Sequence, residues 1–476
     1  MAKKTSEVIP FTILAVIFVS LFIISTFFIP FNIYFYFLVL FFVALFILKN
    51  PEIGLYSIII LTFIFERFFT LQPIIWGEYT YKIYPLDILT IITCLSLLIY
   101  KLHNSEQKIK IGRLSIFIIV FVLFSLFSTF YGISRGGAIS LAFSTFKNYA
   151  IYSIFFFLVI NIIDTPEKLK RLVKVFLIAG AALLFFVFVG WVRRAGFWIE
   201  FTPLSTFGTR LLAPTHAFYL SLAALFALNL YAYKKKFFSS LTFPIILVQL
   251  LGILGSLSRH LYLALAVSII ISLILIPRQF RRNLFKVILT QVLLIFIFIA
   301  IFSWTSYLAT GNVPFLGNEI IKSTGARLKT LTLAPEDQSS YFRIFAWQEA
   351  WKRFSQKPIL GIGFGQRLTF DFFGWSTRIE VRDLHNDFIG IGLQMGIAGF
   401  VIFLALNLYF LFSILKNLKK VDNELKPYLL GVLACFILFV IAANFGVYFD
   451  INLLVIFYWI ILGMGVSMFY LARGRG

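Results

Sequence analysis

The chain has 476 residues, of which 61% are hydrophobic and 13% are charged, and it contains 61 phenylalanines. A soluble domain has about 45–50% apolar and about 25% charged residues, so this composition excludes a soluble globular protein. The 42 Lys and Arg residues against 20 Asp and Glu give a formal net charge of +22. In a polytopic membrane protein this excess indicates cytoplasmic loops and anionic headgroups, and we predict no nucleic-acid partner.

Apolar stretches of the length needed to cross a membrane, about 20 residues, follow one another along almost the whole chain. The first is too long for the apolar part of a cleavable signal peptide and is therefore predicted to be a span. Cys94 and Cys435 lie inside such stretches and are predicted to be packing residues. About 14 spans are predicted, near residues 10–29, 31–48, 53–66, 84–101, 114–132, 148–163, 171–192, 215–233, 241–257, 260–276, 285–307, 386–415, 427–445 and 450–471.

Basic residues in the short loops set the orientation of these spans. With the N-terminus in the cytoplasm, every clear basic cluster between spans falls on the cytoplasmic side. The clusters are Lys3–Lys4, Lys49, 101–113, 167–171, 234–236, 278–282, 416–426 and 473–475. The sequence therefore predicts an all-α polytopic bundle with both termini inside, membrane lipids around it, and one large periplasmic loop.

Four parts of the chain follow from this topology. They are N-terminal transmembrane helices at 1–200, transmembrane helices that carry outer-face arginines at 201–307, a periplasmic loop at 308–385 with an amphipathic helix at 340–356, and C-terminal transmembrane helices at 386–476.

Apolar residues in the periplasmic loop follow the 3–4 spacing of an amphipathic helix. Ser339 or Ser340 can cap the start of this helix and Pro358 ends it. Taken alone, the pattern fits a helix on the membrane surface as well as it fits a functional element. The apolar stripe consists of Ile344, Trp347, Trp351 and Phe354.

Three glycines, Gly361, Gly363 and Gly365, follow this helix. No predicted strand precedes them, which excludes a dinucleotide-binding loop. We expect a close-packed turn that brings the backbone near a ligand or a helix, followed by a short aromatic loop.

Cations also occur at the outer ends of the predicted spans, against the positive-inside trend. A cation in the hydrocarbon costs roughly 2.5–3.5 kcal/mol on insertion scales. Any one of them can snorkel to headgroups, but the set predicts an anionic ligand at the outer face. Its members are Arg67, Lys82, Arg135, Lys147, Arg193, Arg194, Arg210, Arg259 and His260, with Arg343, Arg367, Arg378, Arg382 and His385 from the loop.

Two arginines and one histidine are the candidates for chemistry. Arg210 lies in a Gly/Pro turn, and Arg259 lies in a tight turn between two spans. Arginine can hold two phosphate oxygens and stabilise a pyrophosphate leaving group. His385 can take a proton near neutral pH, although a capping or packing histidine would look the same locally. His260 is a rival base and His216 a weaker one.

No Cys, His or carboxylate cluster has metal-ligand spacing, so we predict neither a metal site nor a cofactor.

The order of these features resembles the bacterial O-antigen ligase and polymerase superfamily over roughly residues 200–400. The matching positions are Arg210 with Pro214, Ser258–Arg259, Arg343 with Trp347 and Ala350, Pro358, Gly361, Gly363 and Gly365, His385–Asn386, and Gly396. His260 departs from the family pattern, which usually has Gly there, and about 14 spans exceed the usual dozen or so.

The resemblance implies a GT-C-like glycosyltransferase of the bacterial inner membrane, active at the periplasmic face in lipopolysaccharide or polysaccharide biosynthesis. It implies a donor glycan on undecaprenyl pyrophosphate and an acceptor that is lipid A–core or a second lipid-linked glycan. Carried over by residue, Arg210 and Arg259 bind the pyrophosphate, and His385 deprotonates or orients the acceptor hydroxyl. Arg343, Asn386 and His260 are the expected substrate-binding residues.

Three alternatives stay open at this stage. A polymerase uses the same site as a ligase. A polysaccharide flippase would also explain outer cations, but it has no clear need for a long loop with a His-Asn pair. A structural scaffold would use the cations only to bind headgroups.

Overall fold

The computed structural model describes residues 7–103, 108–193, 210–235, 239–310 and 338–473. Several predicted features lie outside these residues, namely Lys3, Lys4, Arg194, residues 206–209 of the first arginine turn, Lys236, residues 311–337 of the periplasmic loop, and Arg475.

The described residues of the first half of the chain are mostly helical and include one short antiparallel hairpin, in which Ile74 pairs with Tyr81. Its elements are α1 (Val8–Ser25), α2 (Ile33–Lys49), α3 (Pro51–Phe65), α4 (Arg67–Thr70), β1 (Ile74–Trp76), β2 (Tyr79–Tyr81), α5 (Pro85–His103), α6 (Arg113–Ser134), α7 (Ile139–Tyr149), α8 (Ile154–Ile162), α9 (Pro166–Ala182) and α10 (Leu184–Arg193).

The second half adds the remaining helices and a second hairpin, in which Arg367 pairs with Glu380. Its elements are α11 (Pro214–Ala232), α12 (Thr242–Gly255), α13 (Arg259–Leu275), α14 (Arg278–Thr310), α15 (Gln338–Gln356), β3 (Arg367–Phe372), β4 (Trp375–Glu380), α16 (Asp387–Leu418), α17 (Lys426–Ala442) and α18 (Asn452–Arg473).

This architecture is an all-α polytopic membrane protein with little sheet, as predicted. Within the described residues, nine helices or helix pairs are long and apolar enough to cross a membrane, and five more apolar helices have 10–17 residues. Each of the predicted spans coincides with one of these helices. The number of full crossings and their orientation stay predictions, because a helix of 10–17 residues is shorter than the roughly 20 residues that a span usually needs.

Local sequence signals explain where several helices begin. The side chain of Asn50 accepts a hydrogen bond from the Glu52 N–H (2.9 Å) at the start of α3. The Thr165 hydroxyl accepts one from the Lys168 N–H (3.3 Å) at the start of α9. Both caps are followed by a proline at the first helical position. Such caps satisfy amides that have no partner inside the helix.

Two helices, α11 and α18, form the centre of the bundle and are buried along most of their length. Aromatic rings fill the space between them and α3: Phe63 stacks on Tyr219 with ring centroids 4.7 Å apart, and Phe457 lies 5.2 Å from both rings. By contrast, α1 and α2 carry large exposed apolar side chains such as Leu21, Leu38 and Phe41. These surfaces suit contact with lipid tails.

The aromatic segment after the glycines is a β-hairpin and not the loop that the sequence predicts. Phe373 and Gly374 occupy its two-residue turn with φ of 53° and 84°, the left-handed geometry that fits the twist of a hairpin. The Asp371 side chain accepts the Gly374 N–H at 2.7 Å and stabilises the turn.

The buried face of α15 agrees only in part with the predicted apolar stripe, of which Trp347 and Phe354 are partly buried there. Ile344 and Trp351 are exposed, whereas Ala346 and Ala350 are buried against the β3–β4 hairpin and α16. Small side chains allow the helix to approach these neighbours closely, and a pattern weighted toward large apolar residues does not detect that contact.

The glycine segment packs against two helices, which confirms the helix-packing alternative for this turn. A Cβ on Gly363 would lie 2.4 Å from the Cα of Gly132 in α6. Helix α16 is broken at Gly396, where φ is 65°. The Ile362 and Gly363 N–H groups donate to Leu393 and Gln394 carbonyls, both at 2.9 Å. The segment therefore satisfies backbone groups that the break leaves without helical partners.

Candidate functional site

A cavity of about 680 Å³ opens at the end of the bundle where α11, α13 and α16 begin. Four of the six predicted site residues line it: Arg210, His260, Arg343 and His385. They come from four separate segments of the chain. The fold thus brings together cations and imidazoles that are up to 175 positions apart in the sequence.

The other two predicted site residues do not line the cavity. Arg259 is the first residue of α13 and its side chain is exposed. The Asn386 side chain accepts the Ile389 N–H at 3.1 Å and caps α16. This bond accounts for an asparagine at that position, because a cap needs a short side chain with an acceptor oxygen.

Helix α15 positions the His385 segment. The Trp347 indole N–H donates to the Leu384 carbonyl at 2.9 Å, and Ala350 is buried on the same helix. Arg343, one turn before Trp347, reaches the cavity. The family resemblance in this helix rests on three residues. Trp347 anchors the loop, Ala350 packs the helix, and Arg343 supplies a cation to the cavity.

His385 adopts a left-handed backbone conformation, with φ of 52° and ψ of 32°, between a short helical turn and α16. Partial burial, and then the charge of Arg343, lower the pKa of His385 below its ordinary value, while Asp383 acts in the opposite direction. The imidazole is therefore neutral near pH 7 and can accept a proton.

His260 contacts the loop between α17 and α18. Its Nε2 atom lies 2.9 Å from the Tyr448 hydroxyl oxygen, and its ring lies in the electrostatic field of Arg343, Arg210 and His385. A charged imidazolium at this position would be repelled by its neighbours.

Asp387 ties the same loop to the start of α16. One carboxylate oxygen accepts the backbone N–H groups of Tyr448 (2.6 Å) and Phe449 (2.9 Å). The Asp387 N–H in turn donates to the Ala443 carbonyl at 2.9 Å. The His-Asn-Asp motif therefore combines a cavity residue, a helix cap and a loop anchor.

A buried carboxylate on this loop also lines the cavity. Asp450 accepts hydrogen bonds from the side chains of Thr145 (3.2 Å) and Asn148 (3.1 Å). Burial raises the pKa of Asp450 to about 6, although these hydrogen bonds and the charge of Arg382 oppose the rise. Asp450 can therefore change its protonation state near neutral pH.

Four more cations of the predicted outer set line the cavity: Arg67, Lys82, Lys147 and Arg382. Lys147 pairs with Asp87 at 3.1 Å, and Arg382 pairs with Glu380. Arg135, Arg367 and Arg378 are not among the lining residues. A cavity with this excess of positive charge favours an anionic ligand.

Sequence reasoning missed the polar groups of the cavity that carry no positive charge, above all Glu66, Thr215, Tyr448 and Asp450. Each of these residues lies at the boundary of a predicted helix, where a polar residue in an apolar sequence is only a weak indication of a functional role. Among the described residues, no group of three His, Cys, Asp or Glu side chains is placed to hold a metal ion.

Comparison with known proteins finds a family match over residues 244–404, to the family described as O-antigen ligase. The match covers about a third of the chain and includes Arg259, His260, Arg343, His385 and Asn386. No curated protein matches the chain. The match confirms the resemblance drawn from the sequence and supports a membrane function of the O-antigen ligase or polymerase type. Residues 244–404 of this multi-pass membrane protein are thus similar to the O-antigen ligase family, which supports its resemblance to the O-antigen ligase and polymerase superfamily.

Proposed function

We propose that this protein is a metal-independent glycosyltransferase that moves a glycan from undecaprenyl pyrophosphate to a hydroxyl of lipid A–core. The observation that carries the proposal is the cavity, in which Arg210 and Arg343 are collected beside the imidazole of His385. Arginine suits a pyrophosphate because its planar guanidinium binds two oxygens and stays charged when partly buried. A neutral histidine beside such a group is suited to activate a hydroxyl.

The arginines act on the donor. Arg210 and Arg343 hold the pyrophosphate in the cavity, and Arg259, the exposed neighbour of His260, adds positive charge. When the bond between the anomeric carbon and the pyrophosphate oxygen breaks, negative charge grows on that oxygen. Fixed guanidinium groups stabilise this charge without having to reorganise.

His385 acts on the acceptor. Its neutral imidazole takes the proton of the acceptor hydroxyl as that oxygen attacks the anomeric carbon. A new glycosidic bond forms, undecaprenyl pyrophosphate leaves with the bonding electron pair, and the anomeric centre is inverted. Asn386 holds the start of α16 beside His385, and His260 with Tyr448 forms the adjoining wall.

The charge distribution supports an active site at the periplasmic face of the inner membrane. Basic loops meet at the end of the bundle away from the cavity, where Glu52 pairs with Arg171 at 3.1 Å. Glu424 there contacts the side chains of Lys170 and Lys235. The positive-inside trend assigns that end to the cytoplasm and the cavity to the opposite side.

The test uses purified protein in nanodiscs, supplied with an undecaprenyl-pyrophosphate-linked glycan and one of two acceptors. We expect transfer to lipid A–core, with loss of transfer in Arg210→Ala. Longer lipid-linked chains with the second acceptor would identify a polymerase that uses the same site. An intact donor that crosses a sealed bilayer would contradict the proposal and indicate a flippase.

A further inference from the structure

The wall of the cavity formed by the first half of the chain carries groups that the reaction above does not use. The junction of α3 and α4 supplies Glu66, and the start of α11 supplies Thr215. Both lie outside the family match at residues 244–404. Serine and tyrosine hydroxyls lie on the same cavity surface, at Ser140, Ser144 and Tyr84.

Glu66 occupies a backbone conformation that favours glycine, with φ of 47° and ψ of −120°. The junction explains why the chain turns there: the Glu66 N–H donates to the Thr62 carbonyl, and the Glu66 carbonyl accepts the Thr70 N–H. Both bonds are made by the backbone and would be kept by glycine. The geometry of the turn therefore does not explain why this residue is a glutamate, because any side chain makes this backbone conformation less favourable than it is for glycine.

The Glu66 carboxylate is also nearly buried, with 6% of its side chain exposed. Burial of a carboxylate is unfavourable unless hydrogen-bond donors compensate. The Thr215 hydroxyl donates to Glu66 Oε1, and His216 Nε2, which has no hydrogen-bond partner among the described residues, lies 3.6 Å from the same oxygen. An unfavourable backbone conformation and the unfavourable burial of a carboxylate thus occur together at Glu66, which lines the cavity.

We propose that Glu66 and Thr215 form a subsite that binds hydroxyl groups of the saccharide. This inference rests on the proposed function. A carboxylate only accepts hydrogen bonds, so it selects hydroxyl donors and repels phosphate. Because the Thr215 hydroxyl donates to Glu66, its oxygen keeps lone pairs for a second saccharide hydroxyl. The subsite holds the glycan while Arg210 and Arg343 of the same cavity hold the pyrophosphate.

The experiment compares the binding of two lipids to purified protein: undecaprenyl pyrophosphate alone and the same lipid carrying the glycan. Glu66→Gly removes the buried carboxylate and relieves the strained backbone at this position, so its melting temperature should equal or exceed that of the wild type. We expect its affinity for the bare lipid to change less than twofold and its affinity for the glycan-bearing lipid to fall about tenfold. Thr215→Val should show a smaller loss in the same direction.

Two comparisons make the result decisive. Glu78, exposed on the turn of the first hairpin and absent from the cavity wall, provides the matched control Glu78→Gln, which should leave both affinities unchanged. Equal weakening of both lipids in Glu66→Gly would overturn the subsite, because it is the pattern expected if Glu66 only positions the Arg210 turn. Unchanged affinity for both lipids would also overturn it. Wild-type protein that binds neither lipid would overturn the proposed function as well.

Discussion

The imidazole Nε2 of His260 lies 2.9 Å from the hydroxyl oxygen of Tyr448. His260 is thereby engaged by the cavity wall, whereas the His385 ring makes no hydrogen bond within the part of the chain that the structure describes. Of the three imidazoles that sequence reasoning proposed as the base, His260 and His385 line the cavity, and His385 is therefore the one available to a substrate hydroxyl.

Because His260 is hydrogen-bonded to Tyr448 and His385 is available to substrate, substitutions of the two histidines should lower kcat to different extents. His260→Gln should lower kcat less than tenfold, because glutamine can still hydrogen-bond Tyr448. Removal of a general base lowers the rate by typically 10²–10⁴-fold, and we expect His385→Gln to fall in that range. Steady-state transfer kinetics of both variants check the prediction, which an equal loss of kcat would contradict.

The two arginines of the family pattern should also differ. Arg210 lines the cavity, whereas Arg259 is exposed and is not a lining residue, so Arg210→Ala should weaken donor binding more than Arg259→Ala. We expect at least tenfold for Arg210, the size of one lost charge-assisted interaction. Titration with the lipid-linked donor measures both affinities. Arg378→Ala, in β4 and away from the cavity, is the matched control.

The pH dependence of transfer follows from His385. Its pKa is lowered by burial and by Arg343, so the neutral imidazole persists below the ordinary histidine pKa, and activity should fall only in more acidic solution. Arg343→Gln removes a charge that disfavours the imidazolium, so the pKa of His385 should rise and the acid limb of kcat/KM should move to higher pH.

Asp450 provides the control for this profile, since its pKa is raised to about 6 and the carboxyl group therefore also titrates in mildly acidic solution. Asp450→Asn should leave the acid limb in place if His385 sets it. Disappearance of the limb in Asp450→Asn would show that the carboxylate, and not the imidazole, is the group that titrates.

Gly363 tests the packing that holds the loop against the bundle. Gly363→Ala places a Cβ 2.4 Å from Gly132 at a φ of +81°, and we expect a loss of roughly 3 kcal/mol from backbone strain and overpacking together. Gly77→Ala has a similar φ with nothing within 4 Å and should cost about 1 kcal/mol. Thermal melting in detergent compares them, and equal melting temperatures would contradict the packing account.

The elements that could be predicted from the sequence are those encoded by a pattern of neighbouring residues. Long apolar runs indicated the helices, and spaced glycines indicated close packing. The β3–β4 hairpin was not predicted because its signal, a Phe-Gly turn between aromatic strands, lies inside an aromatic run. The buried face of α15 was predicted only in part: Trp347 and Phe354 pack there, but Ala346 and Ala350 were missed because they bury little area and carry no strong periodic signal.

The cavity was predicted only in part. Residue type and position in the sequence identify some of its residues, but others are brought together only by the packing of distant helices. Arg210, Arg343 and His385 were recognised from residue type and position at span ends. Glu66 and Asp450 were not recognised, because their role depends on helix packing that brings residues 66, 215, 343 and 450 to one cavity. No local pattern encodes that approach.

The central claim is that donor binding and proton transfer are carried by different residues of one cavity. Donor affinity and single-turnover transfer to lipid A–core, measured on the same nanodisc preparation of His385→Ala, test it most directly. We predict an affinity within about twofold of the wild type and a transfer rate lowered by typically 10²–10⁴-fold. Full transfer by His385→Ala, or a loss of donor affinity as large as that of Arg210→Ala, would contradict the account.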